Sequence, residues 1–176
     1  MAVPLAAGAQ DGPVFHDKTP FAEVWVSTDL AEHRADEDYI PVMVAIKNQG
    51  PGAATLTRDS FHLEGPDGKE LPMPSVETLR EDYPKTDFDY TMGRVYGFTG
   101  IPVGTRLLEH MSVPSSFFPA VRSGQVVWDS VQLPKNYWTV DLLYFPTPVG
   151  FADGREATLV VESDAWEEPV EVDFNL

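Results

Sequence analysis

At 176 residues the chain has the length of one domain, and its 43% hydrophobic content is enough for a two-layer core. The absence of cysteine excludes disulfides, thiolate metal sites and cysteine nucleophiles. A formal charge of -16, from 28 acidic and 12 basic residues, repels nucleic-acid phosphates and anionic lipid headgroups and attracts basic protein surfaces.

Residues 1–20 contain Pro4, Gly8, Gly12, Pro13 and Pro20 and read as an extended N-terminal tail. Ala7-Gly8-Ala9 has the small-x-small pattern of a signal cleavage site, without the basic start or long apolar middle of a signal peptide. No apolar run approaches the ~20 residues that span a bilayer.

A single β-sandwich domain is expected over residues 21–176. Glu23 to Ser27 alternates and reads as the first strand, and Asp29 to Asp38 reads as an acidic loop. In the next strand Ile40, Val42, Val44 and Ile46 alternate with Pro41, Met43, Ala45 and Lys47, the period of a strand with one buried face. Asn48 to Gly52 breaks the run. Thr55-Leu56-Thr57 and Phe61-His62-Leu63 resume it, and Pro66-Asp67-Gly68 turns the chain again. His62, between two apolar neighbours, should face away from them onto the sheet surface.

Residues 72–124 form a long irregular insertion with one short helix. Ser75 can cap that helix, which runs to Tyr83 and is stopped by Pro84. The rest has scattered aromatics, glycines and prolines without a sustained period. Strands resume at Val126 to Leu133 and at Tyr137 to Phe145, the latter with Trp138, Val140, Leu142 and Tyr144 on one face. Trp128 and Trp138 are expected in the core. Glu156 to Glu162 and Glu168 to Phe174 alternate and form a hairpin across Ser163 to Glu167.

About seven to nine short antiparallel strands suit an all-β, immunoglobulin-like sandwich, with a jelly roll as the structural alternative. Val44-Ala45-Ile46-Lys47-Asn48, Gly50-Pro51-Gly52, Phe61-His62-Leu63, Asp67-Gly68 and Val131-Gln132-Leu133-Pro134 followed by Leu142 to Phe145 carry a resemblance over about half the chain. In these steps it resembles the telokin-like, immunoglobulin-like domains of unknown function found in bacterial envelope proteins. That resemblance implies a non-catalytic binding or scaffold role outside the cytoplasm and supplies no functional residues.

No reaction centre is legible. The four histidines are far apart and form no ligand pair, no Gly-x-Ser-x-Gly elbow occurs, and the glycines of 93–104 lack the Lys-Ser or Lys-Thr of a phosphate loop. The acidic groups Asp36-Glu37-Asp38, Asp87 with Asp89, and Asp164 with Glu167 and Glu168 read as solvated loops, with calcium binding as the alternative. On an extended segment, Asp87 and Asp89 would share one side. No metal or cofactor is expected.

Tyr90, Tyr96, Phe98, Phe117 and Phe118 of the insertion are the candidate partner-binding residues, the alternative being that they pin the insertion onto the sandwich. The leading expectation is a non-catalytic accessory or scaffold subunit that binds other proteins in a membrane-associated complex of the bacterial envelope. The cytoplasmic face of such a complex is the alternative location. A carbohydrate- or small-ligand-binding module and an unrecognised enzyme are the competing functions.

Overall fold

The computed structural model describes residues 14–96, 111–118 and 127–175. Its strands are β1 (Val14–Lys18), β2 (Ala22–Ser27), β3 (Tyr39–Asn48), β4 (Ala54–Thr57), β5 (Phe61–Glu64), β6 (Glu70–Pro72), β7 (Ser130–Leu133), β8 (Trp138–Pro146), β9 (Ala157–Val161) and β10 (Val170–Phe174). Among the described residues, the helices α1 (Asp29–Glu32), α2 (Val76–Asp82) and α3 (Thr86–Tyr96) interrupt them.

One antiparallel sheet has the order β1-β2-β3-β8 and the other β10-β9-β5-β6, while β4 and β7 pair separately. The two sheets close over one core to make an all-β sandwich. Phe15 of β1 meets Phe174 of β10 with ring centroids 6.2 Å apart, and Phe151 packs edge-on against the same Phe174. β10 follows the alternation read from its sequence: Val170, Val172 and Phe174 are buried, and Glu171 and Asp173 are exposed.

β3 departs from the one-faced strand that its pattern suggests. Ile40 through Ile46 are all buried, including Pro41, Met43 and Ala45. The reason is a third layer of helices. Leu30 of α1 and Gly93 of α3 lie against Met43 and Leu142 on the outer face of the first sheet. A Cβ at Gly93 would stand 3.0 Å from Met43 Cε and 3.3 Å from Leu30 Cδ1, so glycine permits this close approach. Pro41, which cannot donate to a ladder, lies beyond the last β2–β3 pair (Ser27 with Met43), where β3 is paired with β8.

Other expectations also change. The tail read as extended coil contains β1, which adds to β2 through the register Val14–Ser27 to Lys18–Glu23. The acidic loop holds the short α1. The segment after Pro84 forms α3, whose aromatic and β-branched residues and Gly93 hide the helical period. Asp87 and Asp89 consequently lie on different sides of a helix rather than on one side of an extended segment. β7 starts at Ser130, and Trp128 is 40% exposed instead of buried. The helix expected after Ser75 forms as α2, with Thr78 N–H donating to Ser75 Oγ at 3.0 Å.

Asn48, at the end of β3, is fully buried and uses every polar atom of its side chain. Nδ2 donates to the carbonyls of Gly52 at 2.7 Å and Leu133 at 2.8 Å. Oδ1 accepts from Gly50 N–H at 3.0 Å and Trp166 Nε1–H at 3.2 Å. One amide thus ties β3, its following turn, the end of β7 and the β9–β10 turn together. Asn48→Ala removes all four bonds. Gly50 N–H keeps the Phe21 carbonyl at 2.8 Å and the exposed Gly52 carbonyl can turn to water, but the Leu133 carbonyl and the Trp166 indole N–H lose a buried partner. The change is expected to cost about 2–4 kcal/mol in urea unfolding. A loss below about 1 kcal/mol would contradict this reading of the site.

Candidate functional site

The residues expected to meet a partner separate into groups. Phe117 and Phe118 are 1% and 5% exposed and belong to the core. This corrects their reading as partner-facing rings: they are the anchors of residues 111–118. Phe117 packs edge-on against Phe61 at 5.6 Å, and Phe118 against Tyr144 at 5.3 Å. Tyr90 sits half-buried on α3, Tyr96 is the last residue of that helix, and Phe98 lies outside the described residues.

Arg58 and Asp141 hold the anchored segment. The Arg58 guanidinium lies 4.5 Å from the centroid of Phe118 and donates to the carbonyls of Pro74 and Phe117. Asp141 accepts from Phe117 N–H at 3.0 Å and Leu142 N–H at 2.9 Å. The segment also runs along the outer edge of β8. Val113 N–H donates to the Trp138 carbonyl at 2.7 Å, Trp138 N–H to the Met111 carbonyl at 2.8 Å, and Ser115 Oγ to the Val140 carbonyl at 3.2 Å. These bonds cover a strand edge that would otherwise be open to pairing.

A second polar cluster is closed on itself. Asp89 has no exposed surface; its Oδ1 accepts from Arg34 Nε at 3.0 Å and Nη2 at 2.7 Å, and its Oδ2 from Tyr83 Oη at 2.5 Å. Burial, reinforced by the Asp89 charge, raises the Tyr83 phenol well above its ordinary pKa. Both carboxylate oxygens are engaged by protein donors, so Asp89 is a tie between α3 and the turn after α1.

The open concavity lies elsewhere. A groove of about 590 Å³ runs between β4 with its following 3-10 turn (Arg58–Ser60) and the β9–β10 turn. Thr55, Thr57, Ser60 and Ser163 contribute hydroxyls, Asp59, Glu162 and Asp164 contribute carboxylates, and Trp166 contributes an indole. One backbone and one side-chain bond join the two walls: Glu162 N–H donates to the Ser60 carbonyl at 3.0 Å, and Ser163 Oγ to the Thr55 carbonyl at 3.1 Å. Asn48 holds the Trp166 indole from beneath. Among the described residues no lysine or arginine pairs with Asp59, Glu162 or Asp164. The groove therefore presents unneutralised negative charge beside hydroxyls, a surface suited to cations and polar groups.

Of the groove, sequence reading singled out only Asp164, as part of an acidic cluster. Its walls are about a hundred residues apart in the chain, and they are brought together by the β5–β9 pairing, with Phe61 opposite Val161, and by the two bonds that extend it. The Asp36-Glu37-Asp38 cluster is partly neutralised, because Lys85 pairs with Glu37.

No family model, curated protein or solved structure matches the chain.

Burial pushes the Asp141 carboxyl up to about 6, against the opposing hydrogen bonds from Phe117, Ser115 and Leu142 and the charge of Arg58. A folded-state pKa above the unfolded value means that the folded protein holds a proton the unfolded chain has released. Its contribution therefore falls as pH rises from about 4 to 6 and is level above that window. Acidification from pH 7 to 5 should raise stability by about 1 kcal/mol more in the parent protein than in Asp141→Asn, read by urea titration at both pH values. Parallel pH profiles for the two proteins would contradict it.

Proposed function

We propose that this chain is a non-catalytic accessory or scaffold subunit that binds other proteins and stabilises a membrane-associated complex in the bacterial envelope. The observation that carries the reading is the acidic groove, whose three carboxylates lack basic partners among the described residues. A chain with net charge -16 draws a basic surface toward it at long range, and a preformed groove can then hold a lysine- or arginine-bearing segment. The fixed walls favour this role because a prebuilt groove loses little entropy on binding. The resemblance to envelope immunoglobulin-like domains supports the same assignment of compartment and role.

A carbohydrate or other polar small ligand is the second reading. It is favoured by the four hydroxyl groups and the Trp166 indole in the same groove.

Recovery of partners from gently solubilised native membranes, with the chain tagged at its C-terminus, separates the two readings. The subunit reading expects a stoichiometric protein complex that weakens with added salt. It also expects recovery to fall at least about tenfold in the double variant Asp59→Lys/Asp164→Lys, because both substitutions place like charge against a basic segment. Both positions are exposed, so unfolding should remain close to that of the parent protein. Recovery unchanged by the double variant would remove the groove as the docking site. Recovery of the chain alone, with glycans retained on an array, would favour the second reading.

A further inference from the structure

The β5–β6 hairpin lies away from the groove and carries a different constellation. β5 supplies His62 and Glu64, two residues apart and therefore on one face, and Leu63 between them is buried. The antiparallel register sets Glu70 of β6 directly opposite Glu64, with His62 opposite Pro72. His62, Glu64 and Glu70 each bring one ligand atom to the same spot, all within 4.8 Å of one another.

Three features argue that this spot is more than a chance gathering of surface acids. The ligand set combines an imidazole nitrogen with two carboxylates, a mixture favoured by zinc and neighbouring first-row metals; calcium and magnesium take oxygen. Glu64 and Glu70 are like charges placed directly across a strand pair, an arrangement that is repulsive unless a cation lies between them. The only ionic contact of the two glutamates among the described residues is His62 Nε2 to Glu64 Oε1, at 3.9 Å, which leaves Glu70 without one.

The backbone beneath is fixed. Gly68 adopts φ 73° in the turn, Gly65 N–H donates to the Lys69 carbonyl at 2.9 Å, and Lys69 N–H donates to Asp67 Oδ1 at 3.2 Å. The side chains retain freedom, since both glutamates are exposed. Ligands bound to one zinc at about 2.0–2.1 Å stand about 3.3 Å apart in a tetrahedron, so closing the present spacing takes side-chain movements of about an ångström.

We propose that His62, Glu64 and Glu70 form a binding site for a divalent first-row transition metal, zinc foremost, on the outer face of the second sheet. The three protein ligands leave one tetrahedral position open to water or to a donor from a bound partner. A metal held there links β5 to the edge strand β6 and offsets the Glu64–Glu70 repulsion, so its binding should also raise the unfolding temperature.

The test is calorimetric titration of the chelator-treated full chain with zinc chloride. One equivalent should bind with Kd below ~100 μM, weakened more than about tenfold in His62→Ala and in Glu70→Gln. The double variant Glu167→Gln/Glu168→Gln, which removes exposed acids elsewhere, should bind as the parent does. Absence of saturable binding would overturn the proposal. So would affinity unchanged in His62→Ala and Glu70→Gln, or equal weakening in all three variants, which would mark a diffuse response to the acidic field.

Discussion

The Asn48 side chain is the contact on which the rest of the architecture depends. Four partners from three other parts of the chain, the turn after β3, the end of β7 and the β9–β10 turn, meet at one amide that has no exposed surface. A buried amide with all its donors and acceptors used contributes modestly in net terms, but any rearrangement that frees a partner incurs that group's full desolvation cost. The geometry is therefore strongly specified. It fixes where β3 ends and where β7 ends, and it holds Trp166, a residue of the β9–β10 turn that forms one wall of the acidic groove. The groove is a consequence of the fold's central polar tie.

The same logic separates the protein's acids into two populations. Asp89 and Asp141 are drawn inward and engaged by protein donors; one joins α3 to the turn after α1, the other secures residues 111–118 along β8. Asp59, Glu162 and Asp164 face solvent without basic partners among the described residues. Structural carboxylates are made safe by hydrogen bonds, and the unpaired ones remain available to an incoming cation. Burial of Phe117 and Phe118 moves those rings from the binding surface to the framework. What they position, through Arg58 and Asp141, is the cover over the edge of β8.

Strand alternation made most of the sandwich legible. β2, β5, β9 and β10 lie where their patterns place them, and so does the capped helix α2, because each is set by local chemistry: period two, turn residues and a serine cap. What escaped is set by distant contacts. β3 resembles a one-faced strand because Met43 and Ala45 are small or adaptable apolar residues, and only the position of α1 and α3 shows that they are covered. α3 itself is a poor helix by propensity and is held by Gly93 against Met43 and by Asp89 to Arg34. The groove was almost illegible, since its walls meet through pairing between β5 and β9. The His62, Glu64 and Glu70 cluster stood closer to the surface of the sequence. A His-x-Glu strand followed by an Asp-Gly turn and a second glutamate implies that juxtaposition once the hairpin register is worked out.

Asn48 and Trp166 act as one unit that joins the sandwich to the groove. A double-mutant cycle measures that coupling directly, using urea unfolding of the parent protein, Asn48→Ala, Trp166→Phe and the double variant. Trp166→Phe removes the indole donor while keeping a ring in the site. The two residues should be non-additive, with an interaction of about 1 kcal/mol or more. Free-energy changes that add to within about 0.3–0.5 kcal/mol would contradict the claim that this contact ties the groove to the fold.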